Sequence, residues 1–254
     1  MKEIRFEYTS NSRRRTLTAQ LPERLGEASS NQFMALQGLS QGSMTEETFY
    51  KLFFGIGSEV LARLDPWQLY VMTEQLRSLW NTTAVDHFIF EEITVSGLHL
   101  QAPAPRLRGM SLQQFMSADQ FWQWYAYTER AEYLHSMVAA LYLPDDADFF
   151  NFDHGAIAER IARHGDEAQL QCIAVNWALI REWLASAYPH LFPTAQKGSS
   201  TPGGQKPRPG SWLTILDALV GDDLTRLDTY PHLPAMDVIR ILNRRIADQK
   251  KPKP

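Results

Sequence analysis

Several short patterns in this chain have residue types that could do chemistry. Gly38-Leu39-Ser40-Gln41-Gly42 fits G-x-S-x-G, the spacing that exposes a nucleophilic serine on a sharp strand-to-helix turn. That turn needs sheet strands before it, and the stretch preceding Gly38 is mostly helix-like, so turn glycines are the simpler account. Gly55-Ile56-Gly57 is half of a dinucleotide-phosphate fingerprint, but it follows a helix and Val60 holds the third glycine position. A helix-terminating glycine pair fits better. Glu132 and His135 have the Glu-x-x-His spacing of di-iron bundles, which need a second copy and two further glutamates; the sequence has no second copy. Asp145, Asp146, Asp148, Asp153 and His154 fall in one stretch, DDADFFNFDH, whose oxygens suit a hard cation. The glycine and closing glutamate of a calcium loop are missing and three phenylalanines interrupt it, so a capped, partly packed loop is favoured. Cys172 lies within an apolar helix, where a thiol behaves as a small hydrophobe. Arg13, Arg14 and Arg15 could grip phosphate or carboxylate, or form a solvated loop. No catalytic constellation is complete, and we expect no catalytic, metal-binding or cofactor-binding residues.

Composition frames these patterns. The 254 residues are 44% hydrophobic and 21% charged, ordinary for a globular protein. The longest wholly apolar run, Met137 to Leu143, is far too short to cross a bilayer. One cysteine excludes an internal disulfide framework. The start, MKEIRFEYTS, is charged throughout with no apolar signal core, and the expectation is a cytoplasmic protein. Residues 194–254 carry ten basic and six acidic side chains, net +4, whereas 1–193 carry fifteen and twenty-three, net −8. Only Lys250, Lys251 and Lys253 cluster, which makes nucleic acid an unlikely partner.

The elements follow from periodicity. Ile4, Phe6 and Tyr8 alternate with charged residues, and Leu17, Ala19 and Leu21 with polar ones. Period two predicts a hairpin with one wet face and a loop carrying the three arginines. Ser30 or Asn31 can cap a helix holding Phe33, Met34, Leu36 and Leu39. Thr45 can cap a second, and Asp65-Pro66 can open a third that runs to Leu79 with untidy faces from Trp67, Tyr70 and Val71. Ile93, Val95, Leu98 and Leu100 around Ser96-Gly97 predict a second hairpin, able to share a sheet with the first. Ser111/Gln114 and Ser117/Gln120 have capping-box spacing, and a long helix is expected from Ala118 to Leu143, stopped by Pro144. Asp153 can cap a short helix closed by Gly165. Residues 168–187 show two apolar stripes, one through Leu170, Ile173, Trp177 and Leu184 and the other through Cys172, Val175, Leu179 and Trp183, which predicts a central core helix.

The resulting fold class is predominantly helical α+β, with a small antiparallel sheet from two hairpins beside a helical bundle. The expected organisation is a mixed strand/helix region with both hairpins (1–110), a helical bundle (111–193), a flexible Gly/Pro/Ser/Lys linker (194–210) and a small helical docking module with a basic disordered tail (211–254). In that module one helix opens at Ser211-Trp212-Leu213, runs through Leu219 and ends at Gly221, with Asp222-Asp223 as a turn and cap. Another starts near Pro234, with Val238, Ile241, Leu242 and Ile246 on one side. The densest aromatic run, Phe121-Trp122-Gln123-Trp124-Tyr125-Ala126-Tyr127, cannot all face one core. Trp122, Trp124 and Tyr127, together with Trp212, Leu216, Ile241 and Leu242 of the docking module, are the candidate protein-binding residues.

The order of these features resembles proteins of the phage or prophage tail-assembly-chaperone kind. The resemblance rests on the strand-rich start, the helix ending Ala139-Ala140-Leu141-Tyr142-Leu143-Pro144, the stop Tyr188-Pro189-His190-Leu191-Phe192, the low-complexity linker and the module opening Trp212-Leu213-Thr214-Ile215-Leu216. It implies transient binding of a tail tape-measure or other virion protein through exposed apolar helices, without cofactor or catalysis, and leaves an oligomer open. Two alternatives are a metal-dependent enzyme using 145–154 and a nucleic-acid adaptor using the basic hairpin loop and tail.

Overall fold

A computed structural model describes residues 1–10, 12–76, 79, 84–145, 147–192, 210–212, 214–215 and 228–249. The expected linker apart from Gly210, the helix stop at Gly221, Asp222-Asp223, Asp146 and the basic tail lie outside the described residues. Among the described residues the fold is predominantly helical α+β, and it divides into two compact units, Met1–Val85 and Asp86–Pro254.

The first unit opens with β1 (Lys2–Ser10) and β2 (Arg13–Leu21), paired antiparallel with Phe6 opposite Leu17 and Ile4 opposite Ala19. Phe6, Ala19 and Leu21 are buried, as period two requires. The three arginines are not loop residues. The ladder runs on so that Arg13, Arg14 and Arg15 face Ser10, Thr9 and Tyr8, and Arg14 Nε lies 2.8 Å from Glu7 Oε2. Next come α1 (Ser30–Ser40), α2 (Glu46–Phe54), α3 (Ser58–Leu61) and α4 (Pro66–Glu74). The cap of α1 is Ser29, one residue before the expected position, because Gln32 closes a capping box with it. The Gln32 amide then donates to the Gln20 and Phe53 carbonyls (2.9 and 3.3 Å), tying α1 to β2 and to the end of α2. Gly55 ends α2 with φ +71, a conformation that favours glycine, and Gly57 caps α3. The third helix reads shorter than expected, ending at Glu74.

The second unit begins with an extended stretch and then β3 (Glu92–Val95) and β4 (Leu98–Gln101), joined through Ser96 and Gly97, both with positive φ. This hairpin forms its own two-stranded sheet; the two hairpins do not share one, because they fall in different units. Among the described residues the α-helices that follow are α5 (Leu112–Thr128), α6 (Ala131–Leu141), α7 (His154–His164), α8 (Glu167–Ala187) and α9 (Ala235–Gln249). The long helix expected over 118–143 is two. Glu129 takes the left-handed conformation (φ 60, ψ 17), its N–H returns to Tyr125 O, and the Thr128 hydroxyl donates to Trp124 O. The chain reverses there and α6 packs back along α5. Ser117 is interior to α5, whose cap is Ser111.

The core of this unit centres on α8. Leu170, Ile173, Trp177 and Leu184 are buried, whereas of the second stripe only Cys172 is, with Val175, Leu179 and Trp183 half-buried. Trp177 stacks on Phe88 (6.0 Å) and meets Phe115 (5.8 Å). Fully buried Asn176 accepts from Ile89 N–H (2.7 Å) and donates to His87 O (3.1 Å), which pins the extended stretch to the helix. In α9 the buried residues are Ala235, Val238, Ile239 and Leu242, so Ile239 takes the inward place expected for Ile241, which is 37% exposed. The i, i+3, i+4, i+7 series from Ala235 selects that stripe.

Trp177→Ala removes a fully buried indole and should cost about 3–5 kcal/mol. Trp177→Phe keeps most of the ring and removes an indole N–H that has no partner among the described residues, so it should cost well under half as much. Chemical denaturation of both variants checks this; equal midpoints for the two would contradict it.

Candidate functional site

The patterns with chemical potential resolve into structural roles. Ser40 sits at the end of α1, not on a strand-to-helix turn, and its hydroxyl donates to Gln37 O (2.9 Å). Asp148 accepts from Phe150 N–H (3.2 Å), and Asp153 caps α7 by accepting from Ala156 N–H (3.0 Å). His154 places its ring nitrogens 3.1 Å from Ala139 O and 2.7 Å from Phe149 O. Glu132 pairs with Arg130 (2.8 Å). Burial pushes the Cys172 thiol up to about 12, with Asp166 adding to the shift, so little thiolate forms near neutrality. Among the described residues, no three His, Cys, Asp or Glu side chains gather as a metal site would require.

Apart from Ile241, exposed on α9, the described candidate binding residues divide between two places. The first is a socket on α5 and α8 filled by the C-terminal segment. Trp212 is 6% exposed, packs edge-on to Phe115 (5.1 Å) and reaches Phe192 (6.0 Å). Its indole N–H donates to Asp119 Oδ2 (2.8 Å). Asp119 is fully buried, accepts also from the Gln123 amide (2.8 Å), and has Arg181 Nε 2.7 Å from its other oxygen. The Arg181 guanidinium lies over the Trp122 ring (4.2 Å), whose own N–H donates to Ala174 O. A buried carboxylate is tolerable only with such partners. Gly210 N–H donates to Gln123 Oε1 (2.8 Å). Further on, Leu233 O accepts from Leu112 N–H (2.8 Å), Ala235 N–H donates to Met110 O (2.9 Å), and Asn243 Oδ1 accepts from His190 and Leu191 N–H. The described part of the docking module, Leu242 included, therefore packs onto its own unit. Leu216 lies outside the described residues.

The second place is the α5–α6 turn. Trp124 and Tyr127 are each 37% exposed and meet edge to face at 6.1 Å. Tyr133 stacks on Trp124 at 5.9 Å, and the Arg130 guanidinium lies 5.9 Å from the Tyr133 ring centre. Tyr133 and Arg130 are not among the sequence-derived candidates, because on one continuous helix they would lie well over a turn from Trp124; only the reversal at Glu129 assembles the cluster. In the first unit, Trp67 and Tyr70 on α4 are 68% and 60% exposed, one helical turn apart. The untidy faces of that helix were the sequence signal for them.

Comparison with protein-family models, curated proteins and solved structures finds no match to this chain.

Asp119→Ala leaves the Arg181 guanidinium without its ion-pair partner and the Trp212 N–H without its acceptor, and should cost about 3–5 kcal/mol. Trp212→Phe keeps the aromatic packing and loses one hydrogen bond to a charged group, about 1.5–3 kcal/mol. Thermal melts should rank the two in that order; a Trp212→Phe melt at the wild-type temperature would place the indole outside the socket.

Proposed function

We propose that this protein is a non-enzymatic protein-binding factor that acts in the cytoplasm during assembly, of the tail-assembly-chaperone kind. The observation that carries the reading is the cluster of Trp124, Tyr127, Tyr133 and Arg130 at the α5–α6 turn. Trp, Tyr and Arg are the residue types that dominate binding energy at protein interfaces. These four are packed on one another, so they are preorganised, yet Trp124 and Tyr127 keep over a third of their surface in water. Core packing does not require that exposure. Rigid rings lose little conformational entropy on binding, which suits transient capture of an apolar segment. No helix among the described residues is long and apolar enough to cross a membrane. The partner this reading calls for is a virion protein, a tape-measure protein first among them.

A photo-cross-linking side chain at Tyr127, used in the native host, should give an adduct with a virion structural protein. Trp124→Ala combined with Tyr127→Ala should weaken that partner's binding to the purified protein at least tenfold, the equivalent of about 1.4 kcal/mol, with little change in the melting temperature. Unchanged affinity in the double variant would remove the cluster from the interface.

A further inference from the structure

The second unit contains a cleft of about 580 Å³ between the turn after β4, the end of α8 and the start of α9. Its size falls within the range of small-molecule sites. Arg106, Arg108, Trp183, Tyr188, Met236 and Asp237 line it.

The turn that forms one wall is strained. Arg106 (φ 59, ψ 31) and Leu107 (φ 55) are both left-handed, followed closely by Gly109 (φ 81). Left-handed backbone at a leucine is an outlier, and strain of this kind persists only where the surroundings over-determine it. Here they do. Arg106 N–H donates to Asp86 O (2.7 Å), Arg106 Nε donates to Asp86 Oδ2 (3.0 Å), and Leu107 is buried. The outcome is two arginines, separated by Leu107, on the rim of one cleft.

The charges there are unbalanced. The bond to Asp86 engages Arg106 through Nε and leaves the terminal amino groups of the guanidinium as further donors. Arg108 is exposed and has no ion-pair partner among the described residues. The carboxylate in the cleft, Asp237, has its own cation in Arg240 (3.1 Å). Trp183 and Tyr188 are half-buried, and neither ring stacks on another aromatic among the described residues. Two half-buried aromatic side chains lining the same cleft as guanidinium donors suit a ring that carries negative charge.

We infer that this cleft binds a small planar anion, an aromatic ring bearing a phosphate or a carboxylate, with the ring against Trp183 and Tyr188 and the anion held by Arg108 and Arg106. The site is independent of the α5–α6 cluster.

Calorimetric titration of the full chain with adenosine monophosphate, benzoate and inorganic phosphate tests this. At least one ring-bearing anion should bind saturably at millimolar concentration or below, and inorganic phosphate at least tenfold more weakly. The phosphate and carboxylate arms tell which head group is preferred. Arg108→Ala, at an exposed position that should not disturb folding, should weaken binding about tenfold or more, and Tyr188→Leu should weaken the ring-bearing anion while leaving the phosphate response unchanged. No saturable binding by either ring-bearing anion overturns the inference, as does equal affinity for inorganic phosphate or full affinity in Arg108→Ala.

Discussion

Carbonyl groups at the buried end of α6 set the terms for the second unit. Met137 through Tyr142 are at most 2% exposed, so water cannot reach the last turn of this helix. A helix leaves its final carbonyls without partners inside itself, and a buried unmade hydrogen bond costs about 1–3 kcal/mol. The orphans are met from other elements. His154, first residue of α7, stands at Ala139 O; the Gln114 amide of α5 donates to Ala140 O and Leu141 O; and Leu143 exchanges bonds with Gln101 at the end of β4. The Tyr142 hydroxyl donates to Phe90 O, fixing the extended stretch from the same place. Completing one helix end thus determines where α5, α7, the hairpin and residues 86–90 lie, and the strained turn and the cleft follow from that placement.

Much of this fold is legible in the sequence where the signal is local. Alternation gave both hairpins their faces, Thr45 and Asp153 cap as their types suggest, and Pro66 opens α4. The misreadings share a cause. Glu129 adopts a backbone that glycine would ordinarily announce, so nothing in the residue types marked the reversal between α5 and α6. Gln114 takes only its backbone half of the capping box with Ser111, and its side-chain amide donates instead to carbonyls of α6. Asn176 on α8 is buried, and its role is set by residues nearly ninety positions earlier. Tertiary demands of this kind have no local spacing to read.

The same limit governs the aromatic run on α5. Helical geometry sends its members in different directions, and density alone does not say which. Trp122 turns toward α8 and covers Arg181, while Trp124 and Tyr127 turn outward. What separates a binding surface from packing here is the return of α6, which supplies Tyr133 and Arg130 and converts two exposed rings into a braced group.

The docked C-terminal segment also bears on the order in which the molecule is made. The α5–α6 hairpin and the hairpin of β3 and β4 join residues close in sequence, and such contacts form early. The bonds between Leu112 and Leu233 and between Met110 and Ala235 close a loop of roughly 120 residues, and they cannot form until residues 233–235 have emerged from the ribosome. Until residue 212 has emerged, Phe115 stands without Trp212 and Asp119 without its indole donor. A nascent chain stalled before residue 210 presents an open aromatic socket with a buried-type carboxylate at its base, a surface the finished protein keeps covered.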